Sequence, residues 1–183
     1  MTALTRRSLY ALLPLALTLG ACGEGDDTDT DVDTDTSADS DTEGDTSGET
    51  SAIVGDWVSE GDNLAPLFQT ATYNYTSIDA TFEASGSYEV IAITGGGDTY
   101  TFTGTYTVDA STDPHGIVLE QTSPAAATSE GIFAITDGEM EYEVVVTTPD
   151  YGFTAPTPET GFGSTAGAGL SEGDNIQIFV AAE

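Results

Sequence analysis

From Ala52 onward, apolar side chains recur at every second position, in runs of six to ten residues separated by Gly, Asp, Asn and Pro. In TYTFTGTYTV (99–108), Tyr100, Phe102, Tyr106 and Val108 fall on one side and five threonines on the other. That period belongs to a half-buried β-strand. Gly104 interrupts the apolar side, as a glycine does where a strand bends at a barrel corner. In IDATFEA (78–84), Ile78, Ala80, Phe82 and Ala84 oppose Asp79, Thr81 and Glu83. In EMEYEVVV (139–146), Met140, Tyr142, Val144 and Val146 oppose Glu139, Glu141 and Glu143. In NIQIFV (175–180), Ile176, Ile178 and Val180 share a face. IVGDWV, YEVIAIT, GIVLEQT and GIFAIT complete eight candidate strands, and no stretch sustains a helical period.

Short glycine-bearing links at 85–87, 95–98 and 136–138 predict tight hairpins. Neighbours in sequence are then antiparallel neighbours in space. The expected fold is all-β, an antiparallel up-and-down barrel of about eight strands, since closure removes exposed edges. A two-sheet β-sandwich is the alternative. Within a barrel, Tyr100, Phe102, Tyr106 and Tyr142 are the candidate ligand-contacting side chains of the interior.

The N-terminal third has a different texture. Arg6 and Arg7 precede an apolar run from Leu9 to Ala21, interrupted by Pro14. That run is shorter than the roughly 20 residues a membrane-spanning helix needs. Its charged start, apolar middle and small residues describe a secretory signal peptide, expected over residues 1–21. TRRSL also fits the start of a twin-arginine export signal. Residues 22–51 are Asp, Thr, Ser, Glu and Gly with almost no apolar content, an expected disordered linker. Relaxed, it would span roughly 30 Å; fully extended, ~100 Å. The alternating aspartates fit no EF-hand loop, because no window has both the central Gly and the twelfth-position Glu. Weak divalent-cation binding is the most that this tract offers. Residues 52–183 are the expected folded domain.

Charge narrows the partners. All 32 acids of the 183-residue chain lie beyond Arg7, the last basic residue: twelve in 23–51 and twenty in 52–183. Such a chain offers phosphate no cation, which argues against nucleic-acid partners, and its fold has no Lys or Arg for ion pairs. The single cysteine, Cys22, excludes an internal disulfide.

Candidate chemistry is sparse. His115 in DPHG reads as a turn residue beside Pro114 and Gly116, and without a second His or a Cys it makes a poor metal site. Glu139, Glu141 and Glu143 alternate with core residues, so a solvated outer face is expected rather than an acid/base pair. GFGSTAGAG (161–169) lacks the lysine of a phosphate loop. It belongs to a long loop, 149–173, expected at a barrel mouth. No nucleophile, base and oxyanion donor assemble from these residues, and no cofactor is implied.

LGAC (19–22) resembles the lipobox of bacterial lipoproteins. The resemblance implies cleavage before Cys22, lipidation of Cys22 and anchoring in the cell envelope, with the outer membrane favoured because Gly23 follows. An ordinary signal peptide with Cys22 as a bystander is the alternative. GDW (55–57) resembles the G-x-W signature of lipocalins, and the strand order resembles lipocalin-like bacterial domains. That likeness implies that Trp57 closes one barrel end and that a small apolar ligand occupies the interior. A structural or interaction protein of the envelope, with an acidic and cation-sensitive surface, is the other expectation; an enzyme ranks last.

Overall fold

A computed structural model describes residues 50–182. The expected signal peptide, the lipidation site Cys22 and nearly all of the acidic linker lie outside the described residues. The last two linker residues open a short helix, α1 (Thr50–Ile53).

Eight strands close into an antiparallel barrel. They are β1 (Gly55–Glu60), β2 (Tyr75–Phe82), β3 (Ser87–Thr94), β4 (Thr99–Asp109), β5 (His115–Ser123), β6 (Ala127–Thr136), β7 (Glu139–Thr148) and β10 (Gln177–Ala181). Each pairs with the next in the chain, and β1 pairs with β10 to close the ring. The long β7–β10 connection carries two two-residue strands, β8 (Phe153–Thr154) and β9 (Ala166–Gly167), which pair with each other. The β1–β2 connection holds a 3-10 turn (Gly61–Asn63) and one helical turn, α2 (Pro66–Gln69). The all-β, up-and-down barrel expectation therefore holds, and the sandwich does not.

The alternating pattern becomes the inside and outside of the barrel. Ile78, Ala80 and Phe82 of β2, Tyr88 and Ala92 of β3, Tyr106 of β4 and Ile117 and Leu119 of β5 are buried in one cluster. Phe133, Met140 and Phe179 join it from β6, β7 and β10. Rings interlock there: Phe82 meets Tyr106 edge-to-face at 5.1 Å between centroids, and Phe179 meets Tyr142 at 5.7 Å. Trp57 of β1 is buried, and its indole N–H donates to the Ile53 carbonyl (2.8 Å). Ile53 is itself fully buried, so α1 and Trp57 together stopper the end of the barrel where β1 begins. That end is called lower below. The β1–β2 connection lies at the other, upper end, where Leu64 and Ala65 are buried.

One face assignment is corrected. On β10 it is Gln177 and Phe179 that are buried inward, whereas Ile178 and Val180 are only half-buried on the other side. Both faces of NIQIFV carry apolar residues, and register with β7 (Gln177 opposite Tyr142, Phe179 opposite Met140) decides between them.

Two glycines let neighbouring backbone come close. At Gly104 the β4–β5 register shifts, and a Cβ there would collide with the Glu120 carbonyl oxygen. At Gly131 a Cβ would collide with the Glu143 carbonyl oxygen. Neighbouring backbone occupies the side-chain space, so the requirement is for no Cβ rather than for an unusual φ. Gly104→Ala is expected to lose about 1–3 kcal/mol through forced backbone displacement. The urea midpoint measures this; an unchanged midpoint would remove the steric role.

Candidate functional site

Inward side chains differ in how far they are enclosed. Trp57, Phe82, Tyr88, Tyr106, Ile117, Phe133, Met140 and Phe179 form a closed layer, each buried. Val90 and Phe102, direct partners across β3 and β4, are only half-buried although they pack on the same cluster. So are Tyr142 and Val144 of β7. Val108 and Ile135 are half-buried as well, at the lower rim of their strands. A side chain that faces the inside of a closed barrel retains exposed surface only where neighbours leave space. Such space is therefore left beside Val90, Phe102, Tyr142 and Val144, and at the lower rim beside Val108 and Ile135.

Aromatic rings gather at the upper end of the barrel. Phe68 of α2 touches Tyr73 (5.7 Å between centroids) and Tyr75 (5.8 Å), and Tyr75 touches Tyr100 (6.3 Å). All four are half-buried. Of the sequence-derived candidates, Tyr106 belongs to the closed layer, where its hydroxyl donates to the Glu83 carbonyl (3.0 Å). Phe102 and Tyr142 are half-buried against the core, and Tyr100 joins the upper ring group through Tyr75. Phe68 and Tyr73 escaped the sequence reading because they lie between strands, where period two gives no signal.

Polar side chains face inward from β1, β7 and β10. Gln177 is 2 % exposed; its Oε1 accepts from Ala65 N (3.3 Å), and its Nε2 has no partner. Ser59 is 0 % exposed, with its Oγ also unpartnered. Tyr142 lies directly across from Gln177 on the same face. Burial, and secondarily the nearby Tyr88 phenol, pushes the Tyr142 hydroxyl well above the usual phenol range. Burial likewise pushes Tyr88 up to about 12, with Glu120 adding to it. Both phenols therefore stay protonated at neutral pH and remain donors.

Two further depressions lie on the outside. One, of about 290 Å³, runs between Thr107, Val118 and Glu130 of the wall and Pro156–Pro158 of the long connection. The other, of about 490 Å³, is lined by Thr81, Glu83, Tyr88, Glu89, Thr103 and Thr105 around Gly104.

The long connection corrects two expectations. It does not sit at a mouth: its buried residues Pro156, Gly163, Thr165 and Asn175 fold against the outer wall. Glu143 is not solvated: it is 0 % exposed beneath that strap. Its Oε2 accepts from Gly163 N (2.6 Å) and its Oε1 from Thr165 N (3.0 Å). Asn175 Nδ2 adds a bond to the Val144 carbonyl (2.9 Å). Ile132 and Val145, both outward and buried, supply the apolar surface that the strap covers. Glu141, two residues earlier on the same face, remains half-exposed; partial burial and then Glu143 raise its pKa. Glu139 is exposed. The three carboxylates thus have three different surroundings, and among the described residues no group of His, Cys, Asp or Glu suited to a metal ion is found. His115 opens β5 rather than sitting in the turn itself. Its Nδ1 donates to the Thr112 carbonyl (2.5 Å), and its ring packs on Phe133 (5.2 Å).

Comparison with protein-family models, with curated proteins and with solved structures gives no match.

Glu143→Ala would leave two buried N–H donors without an acceptor, at about 1–3 kcal/mol each. Faster amide exchange at Gly163 and Thr165, with β1–β4 amides unchanged, is the expected result. Unchanged protection at both amides would mean that the carboxylate does not hold the strap.

Proposed function

We propose that the chain is an exported, lipid-anchored envelope protein whose barrel receives a small apolar ligand in the upper half of its interior. The observation that carries the ligand reading is the contrast between the packed floor and the half-buried Val90, Phe102, Tyr142 and Val144 above it. Ligand sites are typically concave and mostly apolar, with a few placed polar groups. The proposed cup has an apolar wall of this kind, aliphatic and aromatic, with ring side chains at its border.

The anchor follows from the N-terminal residues. Arg6, Arg7, the apolar run to Ala21 and the lone Cys22 support export and acylation, with the outer membrane as destination. Several acyl chains would hold firmly, since each buried methylene contributes about 0.8 kcal/mol. The acidic linker then acts as a spacer, because like charges extend it. Such a spacer suits a displayed binding module rather than an enzyme.

A second reading places the working surface on the exterior. It is favoured by the depression around Gly104, whose lining carries Glu83 and Glu89 in a domain with no Lys or Arg. Partners there would be cationic or bridged by divalent ions.

Val90→Trp separates the readings. If the cup has room, the larger ring fills it: the melting temperature stays within a few degrees, and binding of the apolar dye N-phenyl-1-naphthylamine falls at least about tenfold. In a filled barrel the same substitution overpacks the core, at about 1–3 kcal/mol, and the wild-type chain binds no dye. For the anchor, metabolic labelling with radioactive palmitate is expected to mark the wild-type chain and leave Cys22→Ser unlabelled. Equal labelling of both would refute acylation at that residue.

A further inference from the structure

We infer that a groove on the outer wall, between β5 and the strap, binds small aliphatic diamines, with the alkyl chain over Gly116 and Val118 and one ammonium at each of Asp109 and Glu130. The inference rests on neither reading above, because this groove lies outside the barrel and away from the depression around Gly104.

The groove exists because a side chain is missing from its floor. Gly116 is an outward position of β5, next to the inward Ile117, and pairs with Asp109 on one side and Ile132 on the other. Glycine weakens a strand and often marks a place that a ligand or another backbone approaches. Nothing in the fold demands it here. Its φ lies outside the left-handed region, and a Cβ would meet only the Asp109 Cβ, at 3.5 Å, an ordinary contact. At Gly104 and Gly131, by contrast, backbone fills that space. The omitted side chain leaves a depression of about 290 Å³, with Val118 on the floor and Pro156 and Pro158 of the strap as a wall. Val118 is 36 % exposed; among the described residues, it and Tyr151 are the only large apolar side chains left so open. An alkyl chain seated there removes that apolar surface from water.

Two carboxylates stand at opposite corners. Asp109 faces Gly116 across the β4–β5 pair, and Glu130 faces Val118 across the β5–β6 pair. Two strand spacings and the step from Gly116 to Val118 set their Cα atoms about 12 Å apart. One metal ion does not bridge that span, whereas a short alkyl chain with an ammonium at each end does. Among the described residues each carboxylate engages one oxygen only. Asp109 accepts from Ser111 N (3.0 Å) and Ser111 Oγ (2.6 Å) through Oδ1, and Glu130 accepts from Thr147 Oγ1 (3.0 Å) through Oε1. The Ser111 bonds also hold the Asp109 carboxyl below its usual range, so it is charged at neutral pH. No cation of the chain competes: from Gly23 onward there is no Lys or Arg, and the nearby His115 packs its ring on Phe133. The same lack of cations leaves an anionic ligand nothing to pair with.

The test titrates the whole exported chain, isotope-labelled and in its Cys22→Ser form, with pentane-1,5-diamine, pentylamine and pentane-1,5-diol, and follows amide chemical shifts. The diamine is expected to move the amides of Gly116, Val118 and Thr157 together, with an affinity about fivefold above that of pentylamine, the scale of one exposed ion pair. The diol is expected to leave them in place. Gly116→Leu fills the groove and is expected to abolish these shifts while the melting temperature stays within a few degrees. Asp109→Asn and Glu130→Gln are each expected to lower diamine affinity about fivefold, to the level of the monoamine. Shifts confined to the acidic linker, or spread evenly over every Asp and Glu, would mean a counterion cloud and overturn the inference, as would groove shifts that survive Gly116→Leu. Equal affinity for diamine and monoamine overturns the two-ended site. Should Gly116→Leu not fold, the carboxylate variants decide, and unchanged affinity in both overturns the site.

Discussion

A domain that carries twenty acids and neither lysine nor arginine cannot offset its self-repulsion with ion pairs. Every carboxylate placed near another costs energy, and only water, hydrogen bonds and distance relieve it. The barrel meets that constraint geometrically. Alternation along each strand sends Asp79, Glu89, Glu120, Glu130, Glu139 and Glu141 outward, while the opposite face is given to rings and aliphatic groups. Cohesion then comes from the inward cluster and from a backbone ladder with no open edge. Among the described residues the one fully buried carboxylate, Glu143, is held by two backbone N–H groups, which do for it what an arginine does in a more balanced chain.

The two ends of the barrel are built differently, and the proposed binding cup follows from that difference. Below, Trp57 and Ile53 stopper the cluster, tied by the indole hydrogen bond. Above, the β1–β2 connection covers part of the opening with Leu64 and Ala65 and leaves Phe68, Tyr73, Tyr75 and Tyr100 half-buried around it. The strap that runs from β7 to β10 seals the outer wall instead. It shields Ile132 and Val145 and leaves the interior to the shorter connection.

Most of the fold is legible in the sequence because a barrel strand with one wet face must alternate. The eight strands, the hairpins at 85–87, 95–98 and 136–138, the register shift at Gly104 and the inward set of β2 and β4 all follow from period two and turn residues. The pattern fails where a strand is covered on both faces. GIFAI and VVV are continuous apolar runs, and their outward Ile132 and Val145 are the signal that something packs on the outer wall. A glutamate two residues from such an outward valine, Glu143, is then a buried anchor rather than part of a solvated face. On β10 both faces are apolar, so alternation alone does not decide the inward set; register with β7 turns Gln177 and Phe179 inside. The rim rings Phe68 and Tyr73 have no periodic signature at all, since they sit in a connection whose path is set by burial of Leu64 and Ala65 over the barrel end.

The central claim is that space for a ligand exists above a closed floor. Diffraction from crystals held under xenon pressure tests it most directly, because xenon occupies apolar cavities without needing any polar partner. The account predicts a xenon peak in van der Waals contact with Val90, Phe102, Tyr142 and Val144, and none among Phe82, Tyr106 and Phe133 below. An interior without xenon, its inward side chains in mutual contact from end to end, would contradict it.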